Sequence, residues 1–117
     1  MSAKYDFSLG QGTDVDLPFV LKDATGAAMN LTGFKARMQL RKSLWDAEAV
    51  DTLTTENGRI AIEGEAGRVV CNFPNQVTET YPAQVLLYDV EIVDASERVT
   101  RIVHGQVTVT PEVTKVE

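Results

Sequence analysis

The chain has 117 residues, 44% of them hydrophobic and 24% charged, with a formal net charge of -6 and a pI near 4.7. That is enough length for one domain with its own core, while the acidity argues against nucleic acid, whose phosphates need clustered Lys and Arg. No apolar run approaches the roughly 20 residues that cross a bilayer, and the N-terminal MSAKYDFSLGQG has no apolar signal core, so no membrane partner is expected and synthesis is placed in a cytosol.

Lys4–Gly10 alternates, with Tyr5, Phe7 and Leu9 on one side and Asp6 and Ser8 on the other. A strand so close to a terminus is either a sheet edge or an arm that pairs with a neighbouring molecule. Residues 1–12 are accordingly set apart as an N-terminal strand or arm, 13–111 as the folded domain and 112–117 as a tail. Thr13–Lys22 alternates again through Val15, Leu17, Phe19 and Leu21. Pro18 has no N–H, which directs this strand to a sheet edge or a bulge.

Lys22–Gly26 reads as a turn. Phe34–Arg41 is the cleanest strand: Phe34, Ala36, Met38 and Leu40 face one way, and Lys35, Arg37, Gln39 and Arg41 the other. An outward row of cations on an acidic chain either pairs with carboxylates of the next strand, Asp89 and Glu91, or forms a docking strip for an acidic partner. Ser43–Val50 is a short helix capped by Ser43, or a loop. Its Trp45, the one tryptophan, either plugs the end of the core or stands exposed as an interface anchor.

Asn57-Gly58 predicts a hairpin turn joining Asp51–Thr55 to Arg59–Glu63. After a Gly64–Gly67 turn, Arg68–Phe73 directs Val69, Cys71 and Phe73 inward. Pro74–Pro82 reads as a crossover loop with one helical turn. Val85–Thr110 then folds back on itself at Asp94–Glu97, with Leu86, Tyr88, Val90 and Ile92 on one face and Val99, Val103, Val107 and Val109 sharing one parity. This hairpin is expected at the centre of a sheet. The sum is an all-β fold, a single immunoglobulin-like β-sandwich of about eight mostly antiparallel strands.

No motif for chemistry stands out. Cys71, the one cysteine, lies on an apolar parity and reads as a core residue; as a nucleophile it would need His104, the one histidine. Asp14 and Asp16 share a strand face, but a calcium site needs more oxygens than two carboxylates bring. No catalytic, cofactor-binding or metal residue is assigned, and a non-enzymatic protein is expected.

Several segments together carry a family resemblance. They are the KDATG turn and NLTGF step within Asp16–Arg41, Asn57-Gly58-Arg59-Ile60, Tyr88-Asp89-Val90-Glu91, Val99-Thr100-Arg101 and the closing run Gly105–Thr114. Over roughly Asp14 to Thr114 the chain resembles small Ig-like β-sandwich proteins from the tail regions of tailed bacteriophages and prophages. It is similar in layout to the N-terminal domain of the phage baseplate upper protein family. The resemblance implies a virion component made in the bacterial host cytoplasm. Its partners would be other tail or baseplate proteins, with a homo-oligomer as a further expectation. In those relatives more segments follow toward the receptor-binding protein. This chain stops soon after the domain, so the expectation is a small adaptor or decorating subunit.

Tyr5, Phe7, Leu9, Lys35, Arg37, Arg41 and Trp45 are the expected interface residues. The alternative function is a carbohydrate-binding module using exposed aromatics such as Trp45 and Tyr81.

Overall fold

A computed structural model describes residues 3–114. The last three tail residues and the first two of the proposed arm lie outside the described residues. The strands are β1 (Ala3–Lys4), β2 (Phe7–Gly10), β3 (Val15–Val20), β4 (Lys35–Arg41), β5 (Asp51–Thr54), β6 (Ile60–Glu63), β7 (Arg68–Phe73), β8 (Val85–Val93) and β9 (Val99–Thr110), with one short helix, α1 (Asn75–Thr78), before β8. They form two sheets. One runs β1-β9-β8-β4-β5, with β2 also on β9; the other runs β3-β7-β6. Every pairing is antiparallel except those of β1 and β2, which run parallel to β9. The two sheets pack as a β-sandwich, in which the neighbouring strands β4, β8 and β9 face β3, β7 and β6.

Alternation builds it. Ala36, Met38 and Leu40 of β4, Leu86, Tyr88, Val90 and Ile92 of β8, and Val103, Val107 and Val109 of β9 turn inward onto Ile60, Val69, Cys71 and Phe73 of the second sheet. The β8–β9 hairpin does sit inside the larger sheet. Its turn is closed by the Asp94 carboxylate, which accepts from the Ser96 and Arg98 amides at 2.8 and 2.9 Å.

Two expectations change, and one open choice is decided. First, the period of β9 breaks. Val90 pairs with Val103 but Glu91 pairs with Arg101, so Ile102 is an extra residue. A bulge of this kind reverses the parity beyond it. Val99, grouped by parity with the inward valines, is therefore 46% exposed.

Second, Asn57-Gly58 does turn the chain, with Gly58 at φ 80°, but β5 and β6 are not a ladder. β5 pairs with β4, and β6 with β7. The turn carries the chain from one sheet to the other, because Leu53 and Ile60 must both enter the core from opposite layers. Of the two forms open to Ser43–Val50, the helix and the loop, the chain takes the loop. The Ser43 hydroxyl accepts from the Trp45 amide at 3.2 Å, closing a local turn that needs no helical continuation.

The N-terminal segment belongs to the sandwich. Pairing of Ala3 and Lys4 with Val103 and His104 resumes in the same register at Phe7 with Val107. The break at Tyr5-Asp6 is bridged. The Tyr88 hydroxyl donates to the Tyr5 carbonyl, and the Gln106 amide donates to the Asp6 carboxylate at 2.9 Å. Gly105 lies directly beneath, where any β-carbon would collide with the Tyr5 carbonyl.

Candidate functional site

The interface residues expected from the sequence fall into two groups that the fold separates. Leu9 is 1% exposed and is a core residue. Phe7 packs its ring at 5.0 Å from Tyr88 and 6.2 Å from Phe73. Tyr5 stays about half exposed, edge-on to Phe19. Leu9 therefore lies between the sheets, while Phe7, partly buried, packs against the core from its margin.

Lys35, Arg37 and Arg41 do point outward from β4. Arg37 bonds Glu91 at 2.7 Å, the partner expected for it, directly across the ladder. Lys35 instead lies 3.7 Å from Glu56, because that end of β4 is beside the β5–β6 turn. Arg41 donates to the Asp46 carbonyl at 2.9 Å and to Gln39 at 2.8 Å. This ties the β4–β5 loop against the sheet. On that loop Leu44 is 75% and Trp45 91% exposed. Of the two places open to Trp45, it takes the surface, not the core.

A groove of about 850 Å³ lies on the outer face of the larger sheet, lined among others by Arg37, Arg41, Leu44, Leu87, Asp89 and Arg101. Charges lie in stripes: Arg37 and Arg41 on β4, Asp89 and Glu91 on β8, and Arg101 on β9.

Asp89 faces Gln39 on one side and His104 on the other. Burial, and then the neighbouring Glu91, push its carboxyl pKa up, against the opposing pull of Arg101, Arg37 and Arg41. A carboxyl whose pKa is higher folded than unfolded holds its proton better in the fold. It therefore costs stability as pH rises from the unfolded value through the folded one. Asp89→Asn should raise the urea midpoint at neutral pH, and the gain should vanish below the ordinary carboxylate range. An equal gain at both pH values would contradict the burial of Asp89.

His104 and Cys71 do not meet. Cys71 is fully buried between the sheets, whereas His104 lines the outer groove. Burial pushes the Cys71 thiol up to about 12, where almost no thiolate exists. The native protein should resist a thiol-reactive dye that labels it fully in denaturant; rapid native labelling would show an open core.

Asp14 and Asp16 are engaged structurally. Asp14 accepts from the Asn75 amide at 2.6 Å, and Asp16 accepts from the Asn72 side chain. Among the described residues, no three His, Cys, Asp or Glu side chains gather as a metal site.

Two features escaped the sequence reading. Asp51 receives Arg59 through both carboxylate oxygens, at 3.3 and 2.8 Å, and the Tyr81 hydroxyl besides. The Arg59 Nε also donates to the Asn72 carbonyl at 3.0 Å. This joins β5, β6, β7 and the segment before β8 at one side of the sandwich, and it removes Tyr81, 2% exposed, from use as a sugar platform.

The second feature is the closed edge of β5. The Asn57 side chain accepts from the Thr54 amide and donates to the Thr52 carbonyl, each at 3.0 Å. With Pro18 on edge strand β3, two edges discourage an added strand.

No protein-family model matches the chain, and no curated protein matches it either.

Proposed function

We propose that the chain is a non-catalytic structural or adaptor subunit of a phage or prophage tail or baseplate, acting through protein–protein contacts in the virion. The observation that carries the contact reading is the exposed pair Leu44–Trp45 beside a grooved, charged sheet face. Large apolar side chains next to a groove and ringed by charges have the make-up of a contact surface, with aromatic and Arg residues as its anchors. The tail assignment adds the resemblance of the turn and strand patterns. It is tested by mass spectrometry of purified tailed particles from the strain that carries the gene. The chain should co-purify at a fixed ratio to tail proteins, and particles made without it should have defective tails. Absence from particles, together with normal tails in the deletion strain, would sink the reading.

A carbohydrate-binding module is the second reading. It is favoured by the exposed Trp45 indole next to a groove lined with Arg, Gln, Asp and Glu, since an exposed ring offers an apolar platform to a sugar face. A glycan array would show binding that disappears in Trp45→Ala; no signal on any glycan eliminates it.

A further inference from the structure

We infer that Asn57-Gly58 is a deamidation site, that the fold restrains its side chain from reacting, and that the reaction opens the outer edge of β5. The inference stands apart from the tail reading, since it needs no partner.

The chemistry comes from the two residues themselves. The backbone nitrogen of Gly58 gives up its proton and attacks the side-chain carbonyl carbon of Asn57. A C–N bond forms and closes a cyclic imide; the bond to the side-chain nitrogen breaks, and that nitrogen leaves as ammonia. Water then opens the ring at either carbonyl, leaving aspartate or isoaspartate in the turn. The sum is amide plus water giving carboxylate plus ammonium, with no oxidant or reductant. Glycine hinders the ring closure least, because it puts no side chain beside the attacking nitrogen. Both residues are exposed. Nothing lies within 4 Å of where a β-carbon on Gly58 would stand, so water and base reach the turn.

The fold opposes the first step. Oδ1 of Asn57 accepts from the Thr54 and Arg59 amides, each at 3.0 Å, and Nδ2 donates to the Thr52 carbonyl at 3.0 Å. The Asn57 amide donates to the Thr54 hydroxyl at 2.8 Å, and the Gly58 amide to the Thr55 carbonyl at 3.3 Å. The attacked group and the attacking nitrogen are both held in other bonds. Some of these must break before the ring can close.

The same bonds close an edge. β5 ends the larger sheet, with β4 on its one paired side. The amides and carbonyls of Thr52 and Thr54 bond to groups near in sequence rather than to β4. The Thr52 amide donates to the Asp51 carboxylate at 2.8 Å, and the Thr54 carbonyl accepts from the Arg59 amide at 3.2 Å. Asn57 takes the other two, the Thr52 carbonyl and the Thr54 amide. A carboxylate has no hydrogen to donate. Aspartate in place of Asn57 therefore leaves the Thr52 carbonyl unpaired and sets a charged oxygen near it. Isoaspartate also lengthens the main chain within the turn, which displaces the group from both partners. Unpaired edge groups are the template on which further strands add.

The test follows the full-length chain by peptide mass spectrometry in mildly alkaline buffer, both folded and in urea. Asn57 should become an acid in both, about fivefold or more slowly in the folded chain, the factor for one net hydrogen bond. Asn30, Asn72 and Asn75 precede Leu31, Phe73 and Gln76, and should remain amides over the same period. Thr54→Val removes the hydroxyl that accepts from the Asn57 amide. It should speed the reaction in the folded chain and leave the rate in urea unchanged. In the separated isoaspartate product, the Thr54 and Arg59 amides should exchange with deuterium about fivefold faster or more.

An Asn57 amide that survives in urea would show that the turn is no such site. Equal rates folded and in urea would show that its bonds do not restrain it. Unchanged exchange in the product would show that the edge stays closed. Any one of these overturns the inference.

Discussion

Leu9→Ala should lower the unfolding free energy by about 2–5 kcal/mol, the range for emptying a fully buried leucine site. Leu9 is the N-terminal residue that the two sheets enclose most completely, at 1% exposure. Its strand is fixed on β9 over four consecutive pairs. Phe7 keeps an aromatic contact with each sheet, through Tyr88 and Phe73. A cavity opened here cannot close by collapse of the backbone, because β9 holds β2 in register. Urea denaturation followed by circular dichroism measures the loss. A change below about 0.5 kcal/mol, the usual limit for surface substitutions, would mean that the segment is not seated in the core in solution. The same experiment decides what deletion of residues 1–10 does. A detachable arm would leave the rest intact, whereas the packing of Leu9 and Phe7 predicts a domain that loses much of its stability.

Asp51→Ala should cost about 3 kcal/mol, because it leaves the Arg59 guanidinium in a mostly buried place without its counter-charge. The side chains of Arg59 and Asp51 are only 18% and 14% exposed, so water replaces little of what is lost. Tyr81 also loses the acceptor of its hydroxyl. Burial and the Asp51 carboxylate both hold that phenol far above its ordinary pKa, so it stays a neutral donor over the whole working range.

The companion variant separates unpairing from loss of the bridge itself. Asp51→Leu combined with Arg59→Met removes both charges, and an ion pair replaced by packed apolar groups is often neutral in stability. The double variant should therefore be more stable than Asp51→Ala. If it is less stable, the bridge holds the two sheets together by its geometry and not merely by avoiding an unpaired charge.

Much of the architecture was legible because strands announce themselves by period. Phe34–Arg41 alternates without a fault, and its inner and outer faces are as read. Pro18 marked an edge, and Pro74–Pro82 a crossover with one helical turn, since proline acts locally. The errors share a cause, which is that pairing partners are not local. Nothing near Val99 signals that Ile102 will be the extra residue, because the bulge is set by how β8 and β9 fit over their whole length. Asn57-Gly58 specifies a reversal but not whether the strands around it bond to each other.

The face is harder still. Asp51 and Arg59 are eight residues apart and Tyr81 is 30 from Asp51, in a chain of 28 charged residues, and only the folded layers bring the three together. Trp45 lies in a stretch with no period, so its exposure followed from the Arg41 tether and not from any pattern around it.

The parallel seat of the first strand against the last has a consequence for how the molecule is made. The Asp6 carboxylate meets the Gln106 amide across a separation of 100 residues. The first strand therefore waits for a partner made about a hundred residues later. Contacts of such high sequence separation slow folding, because a long loop must close before they contribute. Until β9 emerges, Phe7 and Leu9 travel as an apolar strand without a docking site, the kind of segment that chaperones bind and that aggregates when they do not. Closure of the sandwich thus comes only after β9 has been made, whatever the speed at which its inner hairpins form.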